Sequence, residues 1–452
     1  MGDYSQLPSL IGRLKAAAID ASMTGWAKSG AEYRDDSTSG YVTSTMYVTR
    51  PAGDGSGGGD VRMTGYGVMP PEFKNMFHER FDAIRSRVDE AFGPWLTLPD
   101  PAAIGRNVEV CRQVTRRLSG AASATAAGQT GAGVIASNVA LIMESSDAMA
   151  GKAAAAYKAT FLARIGPAVG GLQGISLVQG AAIAAEQGLW DSAREVVVEI
   201  VEKATRQMEA IYAGGAPGSW NVALTVAGWA VKGVQAFASG GVSGALEVAG
   251  LGLEILNGAE VGEVRQDFVG SEVETALASI ESGLAALNDK IRGEEEALRK
   301  NLASNLSNIR NDRSSYDLVT DPIALEEIDD GGVMRMDYAL VRDIYETYMP
   351  NIAGELTEIA PLNMTALISD ANRDAALGVG GDGILPEWYA INITLCQLLD
   401  EMQRDVVNSA HNLEYAARDI QQHDDDSAQA LRRIVEQMDS IVDDPFRRTV
   451  WG

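Results

Sequence analysis

The chain is poor in the residues that most often carry chemistry, with three histidines and two cysteines among 452 residues. Cys111 and Cys396 lie far apart, with neither a CxxC spacing nor a histidine close by, which excludes a disulfide framework and a zinc site. His78-Glu79 would open a zinc-binding helix only with a second histidine four positions after the first, and Asp82 stands there. Neither a GxSxG elbow nor a Walker sequence occurs, so with only His78, His411 and His423, acid–base chemistry would have to rest on carboxylates. Positive charge is also scarce: 37 Lys+Arg face 62 Asp+Glu, a net −25. A surface so negative repels phosphate and excludes nucleic acid as a partner. The N-terminus lacks a basic start, an apolar run and a small-residue cleavage site, so no conventional secretory signal is expected. No cofactor is implied, and the expectation is a protein that is not an enzyme.

What is present is enough apolar sequence for a buried core, 46% against 22% charged, arranged mostly at helical spacing. The exception falls in residues 1–70, an N-terminal arm with a flexible glycine-rich loop. Tyr41 to Thr49 is rich in Thr, Val and Tyr, and PAGDGSGGGD separates it from VRMTGYGV. A small β-hairpin near residues 41–67 and an unstructured polar excursion both fit. From residue 71 Phe77, Phe81, Ile84, Val88 and Phe92 recur at three and four positions. After Gly93-Pro94, Ile104, Val108, Cys111, Val114 and Leu118 repeat the pattern, which predicts a helical hairpin over 71–118.

Residues 119–260 form an Ala/Gly-rich block: 118–260 contains 34 Ala and 22 Gly but only 18 charged residues. Its uncharged runs, 118–143, 165–185 and 210–231, are long enough to span a membrane, yet they carry small and polar residues rather than Leu, Ile and Phe. Small residues let helix backbones approach closely in a soluble bundle or in lipid. Residues 261–320 then hold one long helix, in which Val273, Leu277, Ile280, Leu284, Leu287, Ile291, Leu298, Leu302 and Ile309 follow a heptad with one polar gap at Glu294. Such a stripe has to be covered, and Ile391 to Ile420, packed antiparallel, is the natural partner.

The acidic segment 321–452 has 26 acids and 9 arginines but no lysine. Leu340, Ile344, Tyr348, Ile352, Leu356 and Ile359 mark one helix, LGVGGDGILPEW a glycine-rich turn, and Ile391, Leu395, Leu398, Met402, Val406 and Leu413 a second helix. Gly378, Gly380 and Gly383 formally match GxGxxG, but a helical pattern precedes them where a dinucleotide site needs a strand. His423 beside Asp424, Asp425 and Asp426 offers no defined cation spacing.

A helix, a turn with Gly380, Gly381, Gly383 and Trp388, and a second helix carrying Tyr415-Ala-Ala-Arg-Asp419 together resemble the WXG helical-hairpin proteins exported by the type VII (ESX) secretion system. The resemblance covers about residues 334–443 and rests on a Trp turn followed by a Y-x-x-x-[DE] signal. Ala390 stands where the family has glycine, and the turn glycines precede the tryptophan. The resemblance implies an export signal at Tyr415 and Asp419, recognition by a secretion-system receptor, and pairing with a helical partner or with copies of the same chain. Independently of any family, residues four apart share a helical face and can offer an aromatic anchor with a carboxylate beside it.

The sequence therefore predicts an all-α, elongated multi-helix bundle with long antiparallel hairpins. The leading functional expectation is a non-enzymatic protein, secreted or surface-delivered without a cleavable signal peptide. The alternatives are a membrane-acting toxin using residues 118–260, a phage tail structural protein, and a cytoplasmic location.

Overall fold

The computed structural model describes residues 3–24, 32–35, 38–42, 46–63, 71, 73–119, 133–214, 219–223, 234, 237, 265–316, 318, 335–366 and 368–442. Ten α-helices carry the fold among them: α1 (Leu7–Met23), α2 (Phe73–Phe92), α3 (Pro101–Arg117), α4 (Val134–Ser146), α5 (Lys152–Tyr157), α6 (Ala163–Tyr212), α7 (Val273–Asn311), α8 (Tyr338–Asp343), α9 (Met349–Met364) and α10 (Leu385–Val442). One π turn joins α5 to α6 and another joins α8 to α9. The all-α expectation holds. At 1.5 Å per residue, the 58-residue α10 runs for about 87 Å, so the bundle is long in one direction.

Helix α6 is the axis of the bundle, with α1, α3, α7 and α10 packed around it. Its middle, Ile175 to Ala185, is buried on every side, the signature of a core helix rather than an amphipathic surface one. The continuous helix Ala154–Tyr212 is the one among the described residues that is long and apolar enough to cross a membrane, and 83% of its apolar window is buried inside the protein. Of the three uncharged runs, 165–185 lies here; 120–132 and most of 210–231 fall outside the described residues.

Local signals explain the helix ends. Asp100 caps α3 by accepting from the Ala102 N–H at 3.3 Å, Pro101 occupies a first-turn position, and Arg116 and Arg117 complement the helix dipole in the last turn. The hairpin expected over 71–118 does not close on itself. Helices α2 and α3 occupy the expected positions, but α2 lies chiefly on α1, and α3 packs along the 50-residue α6.

The N-terminal arm holds more strand than a hairpin. Strands β1 (Glu32–Asp35), β2 (Thr38–Val42), β3 (Met46–Thr49) and β4 (Val61–Met63) form an antiparallel meander, with Tyr41 opposite Val48 and Val48 opposite Val61. The glycine-rich loop between β3 and β4 is not a free excursion. It threads between α1 and α2, where the Asp54 carbonyl would lie 3.0 Å from a Cβ at Gly12 and Arg85 Nε donates to the Gly55 carbonyl at 2.7 Å. Arg50 grips Asp20 of α1 and its guanidinium lies 5.6 Å from the Tyr212 ring centre at the end of α6.

Two minimal ladders brace the rest. Strand β5 (Met149–Ala150) pairs with β8 (Arg335–Met336), and β6 (Trp220–Ala223) with β7 (Arg265–Phe268), where Trp220 and Phe268 stack at 3.8 Å. Helices α9 and α10 form the expected antiparallel hairpin: Asn392 Nδ2 donates to the Asn363 carbonyl at 3.2 Å. Helices α7 and α10, expected antiparallel, run parallel instead. Arg299 pairs with Glu387 and Arg313 with Glu401, and both pairs are 88 residues apart, an offset only parallel helices can hold. The reason is topological: α8–α9 runs the opposite way between them, so α10 returns in the direction of α7. The stripe of α7 is covered mainly by α6, with α10 as a second neighbour.

Candidate functional site

Two places on the hairpin stand out, one at each end of the buried stretch of α10. The first is the turn. Residues 365–384 link α9 to α10, and Gly378, Gly380 and Gly383 in it all have positive φ, +57°, +114° and +50°. A Cβ at Gly378 would overlap the Glu295 carboxylate and one at Gly383 the Arg373 guanidinium, while one at Gly381 would lie 3.3 Å from the Arg373 carbonyl oxygen. The glycines therefore wrap the protein's own charges, and no phosphate cradle is left open. Trp388 sits inside the first turn of α10 rather than in the turn itself. It is fully buried, and its Nε1–H donates to the Gln179 carbonyl of α6 at 3.0 Å. It thus fastens the hairpin to α6 instead of closing the turn as the resemblance implies.

Under the turn lies a charge cluster. The side chains of Glu186 (α6), Glu295 (α7) and Arg373 are each 0% exposed. Arg373 Nη1 lies 3.2 Å from Glu186 Oε1, and Nη2 pairs with Glu295 Oε1. Trp190 Nε1–H donates to Glu186 Oε1 at 2.8 Å, its ring lies 4.8 Å from the Arg373 guanidinium, and the Val379 N–H donates to Glu295 Oε2 at 2.8 Å. One guanidinium balances one carboxylate, and burial first, then the nearby Glu186, push the Glu295 carboxyl well above its ordinary range against the pull of Arg373. Asn288 and Arg292 of α7 hold the outer strand of the turn, through the Gly378 N–H at 2.7 Å and the Gly378 carbonyl at 3.0 Å. The cluster staples α6 and α7 to the turn that precedes α10.

None of these three charges was singled out by sequence. The signals are visible in retrospect: Glu186 ends the uncharged run 165–185, and the polar gap in the α7 heptad falls there. The buried acid of that gap is Glu295; Glu294 is only half-buried.

The second place is the far end of the hairpin. Tyr415 is 72% exposed and is the most exposed of the large apolar side chains described. The Asp419 side chain, one turn on, is 76% exposed. The two share the face of α10 opposite Leu413 and Ala417, which are buried against the bundle. His423 Nδ1 lies 2.8 Å from the Asp419 carbonyl oxygen, and Arg418 pairs with Glu414. The side chains of Asp424, Asp425 and Asp426 lie outside the described residues, and among the described residues no group of three or more His, Cys, Asp or Glu is arranged to hold a metal. No protein-family model, curated protein or solved structure matches this chain.

Proposed function

We propose that the chain is a non-enzymatic helical protein exported by a type VII-like secretion system, with Tyr415 and Asp419 as the signal that its receptor reads. The observation that supports this reading is the exposure of Tyr415, at 72% the most exposed large apolar side chain described, on a helix where Ile393 at 48% is the other one. An aromatic side chain held out on an ordered helix face, with a carboxylate one turn away, is available as an anchor to a receiving groove. The helix–turn–helix hairpin that the resemblance implies supports it as well, although Trp388 serves a different contact.

The test is a producer with an intact type VII apparatus and the ratio of secreted to cell-associated protein. Tyr415→Ala should abolish secretion while leaving helix content and melting unchanged. Secretion of that variant at the wild-type ratio would overturn the reading. A membrane-acting role would require α6 to leave its buried position. Purified protein should therefore leave neutral and anionic liposomes intact at neutral pH, the net −25 adding repulsion from anionic headgroups.

A further inference from the structure

A hollow of about 210 Å³ opens on the inner flank of α10, where β5, α5, the π turn after it, β8 and α10 meet. Its floor is apolar. Met149 and Met336 stand opposite each other in the β5–β8 ladder, and the Tyr157 and Phe161 rings stack with centres 5.3 Å apart, 16° from parallel. Met149, Tyr157 and Phe161 are buried, as is Leu413, which α10 adds to the lining. The hollow is therefore a pit set into the bundle rather than a patch on its outer face.

The character of the lining decides what fits. The volume exceeds the roughly 150 Å³ that accommodates a benzene ring in a protein interior. Among the described residues no charged side chain lines the pit, so an ion entering it would shed water without gaining a partner. A neutral occupant follows. Thioether sulfur makes favourable contacts with aromatic rings, and aromatic rings pack on one another, so two methionines beside two stacked rings favour an aromatic body over an aliphatic one. The polar part of the lining lies toward the mouth, where Ser409 is half-buried and Asn412 exposed. Thr160 adds a hydroxyl that donates to the Ala156 carbonyl at 2.8 Å and can still accept. An apolar floor below a polar mouth suits a molecule with the same two ends.

We propose that this pit is a binding site for a small neutral aromatic molecule bearing one hydrogen-bonding group, of the size of a phenol. The ring rests among the thioethers and the Tyr157 and Phe161 rings, and its polar group meets Ser409 and Asn412. The site stands apart from the export reading, since neither Tyr415 nor Asp419 lines it.

Isothermal titration calorimetry of the full chain with phenol at neutral pH tests the proposal. Binding should saturate at one site with a dissociation constant on the order of 1 mM or below, the range open to so small a ligand. Cyclohexanol, of similar size without the aromatic ring, should bind more weakly, and the charged benzoate should not bind. Ala416→Trp places an indole in the lining and should weaken phenol binding about tenfold or more with unchanged circular dichroism. Ser409→Ala should weaken phenol several-fold while leaving toluene, which has no hydroxyl, unaffected. A damaged fold would weaken both ligands alike. Absence of saturable phenol binding overturns the proposal, as does binding indifferent to both substitutions. Cyclohexanol or benzoate binding as tightly as phenol would overturn it too, by removing the aromatic or the neutral requirement.

Discussion

Helix α10 begins in the most constrained part of the molecule and passes, seven turns later, through one of the least. At Trp388 every side is spoken for: the indole is bonded to α6, the turn before it wraps a buried guanidinium, and Glu387 is paired with Arg299 of α7. At Tyr415 only the inward side is packed, against α8 and the π turn that follows it, and the outward side meets water. The difference teaches where each kind of sensitivity belongs. Substitutions near the turn act on folding, because they strand charges or overlap neighbours. Substitutions near Tyr415 leave the fold alone and act on whatever the protein meets.

The most damaging change should be Arg373→Met. It leaves Glu186 and Glu295 buried without their cation, and breaking a buried ion pair by removing one partner costs about 3–5 kcal/mol. Denaturant unfolding followed by circular dichroism measures it. The comparison is sharpened by the triple variant Glu186→Gln, Glu295→Gln, Arg373→Met, which should regain most of the loss, because no unpaired charge then remains. A triple variant as unstable as the single one would show that Arg373 works by packing rather than by charge.

Next comes Gly383→Ala. The backbone there has φ of +50° and a methyl group would overlap the Arg373 guanidinium. Strained φ of this kind costs on the order of 1–3 kcal/mol before any overlap is counted. The same substitution at Gly380, whose Cβ would meet open space, should bring only the conformational part. Equal losses at the two glycines would argue against a turn shaped by the cluster beneath it.

These residues also show how far sequence reasoning reaches. The heptad of α7, the hairpin of α9 and α10 and the glycine turn are local patterns, so they were legible, and the exposed Tyr415–Asp419 face follows from helical periodicity alone. The parallel course of α7 and α10 was not, since direction depends on how many limbs intervene. Nor was the cluster: Glu186, Glu295 and Arg373 come from three distant segments, and only the fold brings them together. The threaded loop of residues 50–60 was misread because glycines that permit flexibility also permit the close approach made at Gly12 and Gly55.

A pH titration of stability separates the two regions more finely. The Glu295 carboxyl is raised in the folded state, so folding takes up a proton there. Its contribution is complete below the ordinary value of 4.5 and is lost as pH rises toward the raised folded value. Stability should therefore fall through neutral pH and beyond, with a slope of at most about 1.4 kcal/mol per pH unit from this one group. Glu295→Gln, which mimics the protonated form, should flatten that slope with a small change at mildly acidic pH. If the slope persists in the variant, the proton resides elsewhere.

The smallest effect should come from Tyr415→Ala, and its smallness is the point. A side chain that is 72% exposed gains little from burial on folding, so its removal forfeits little transfer free energy. Its backbone sits mid-helix, where alanine is the better helix former, which offsets part of what is lost. The balance should lie within about 0.5 kcal/mol of wild type, the usual range for surface positions away from special features. The measurement is denaturant unfolding followed by circular dichroism. A loss well above 1 kcal/mol would mean that the ring packs on its own bundle, and the contrast between the two ends of α10 would collapse.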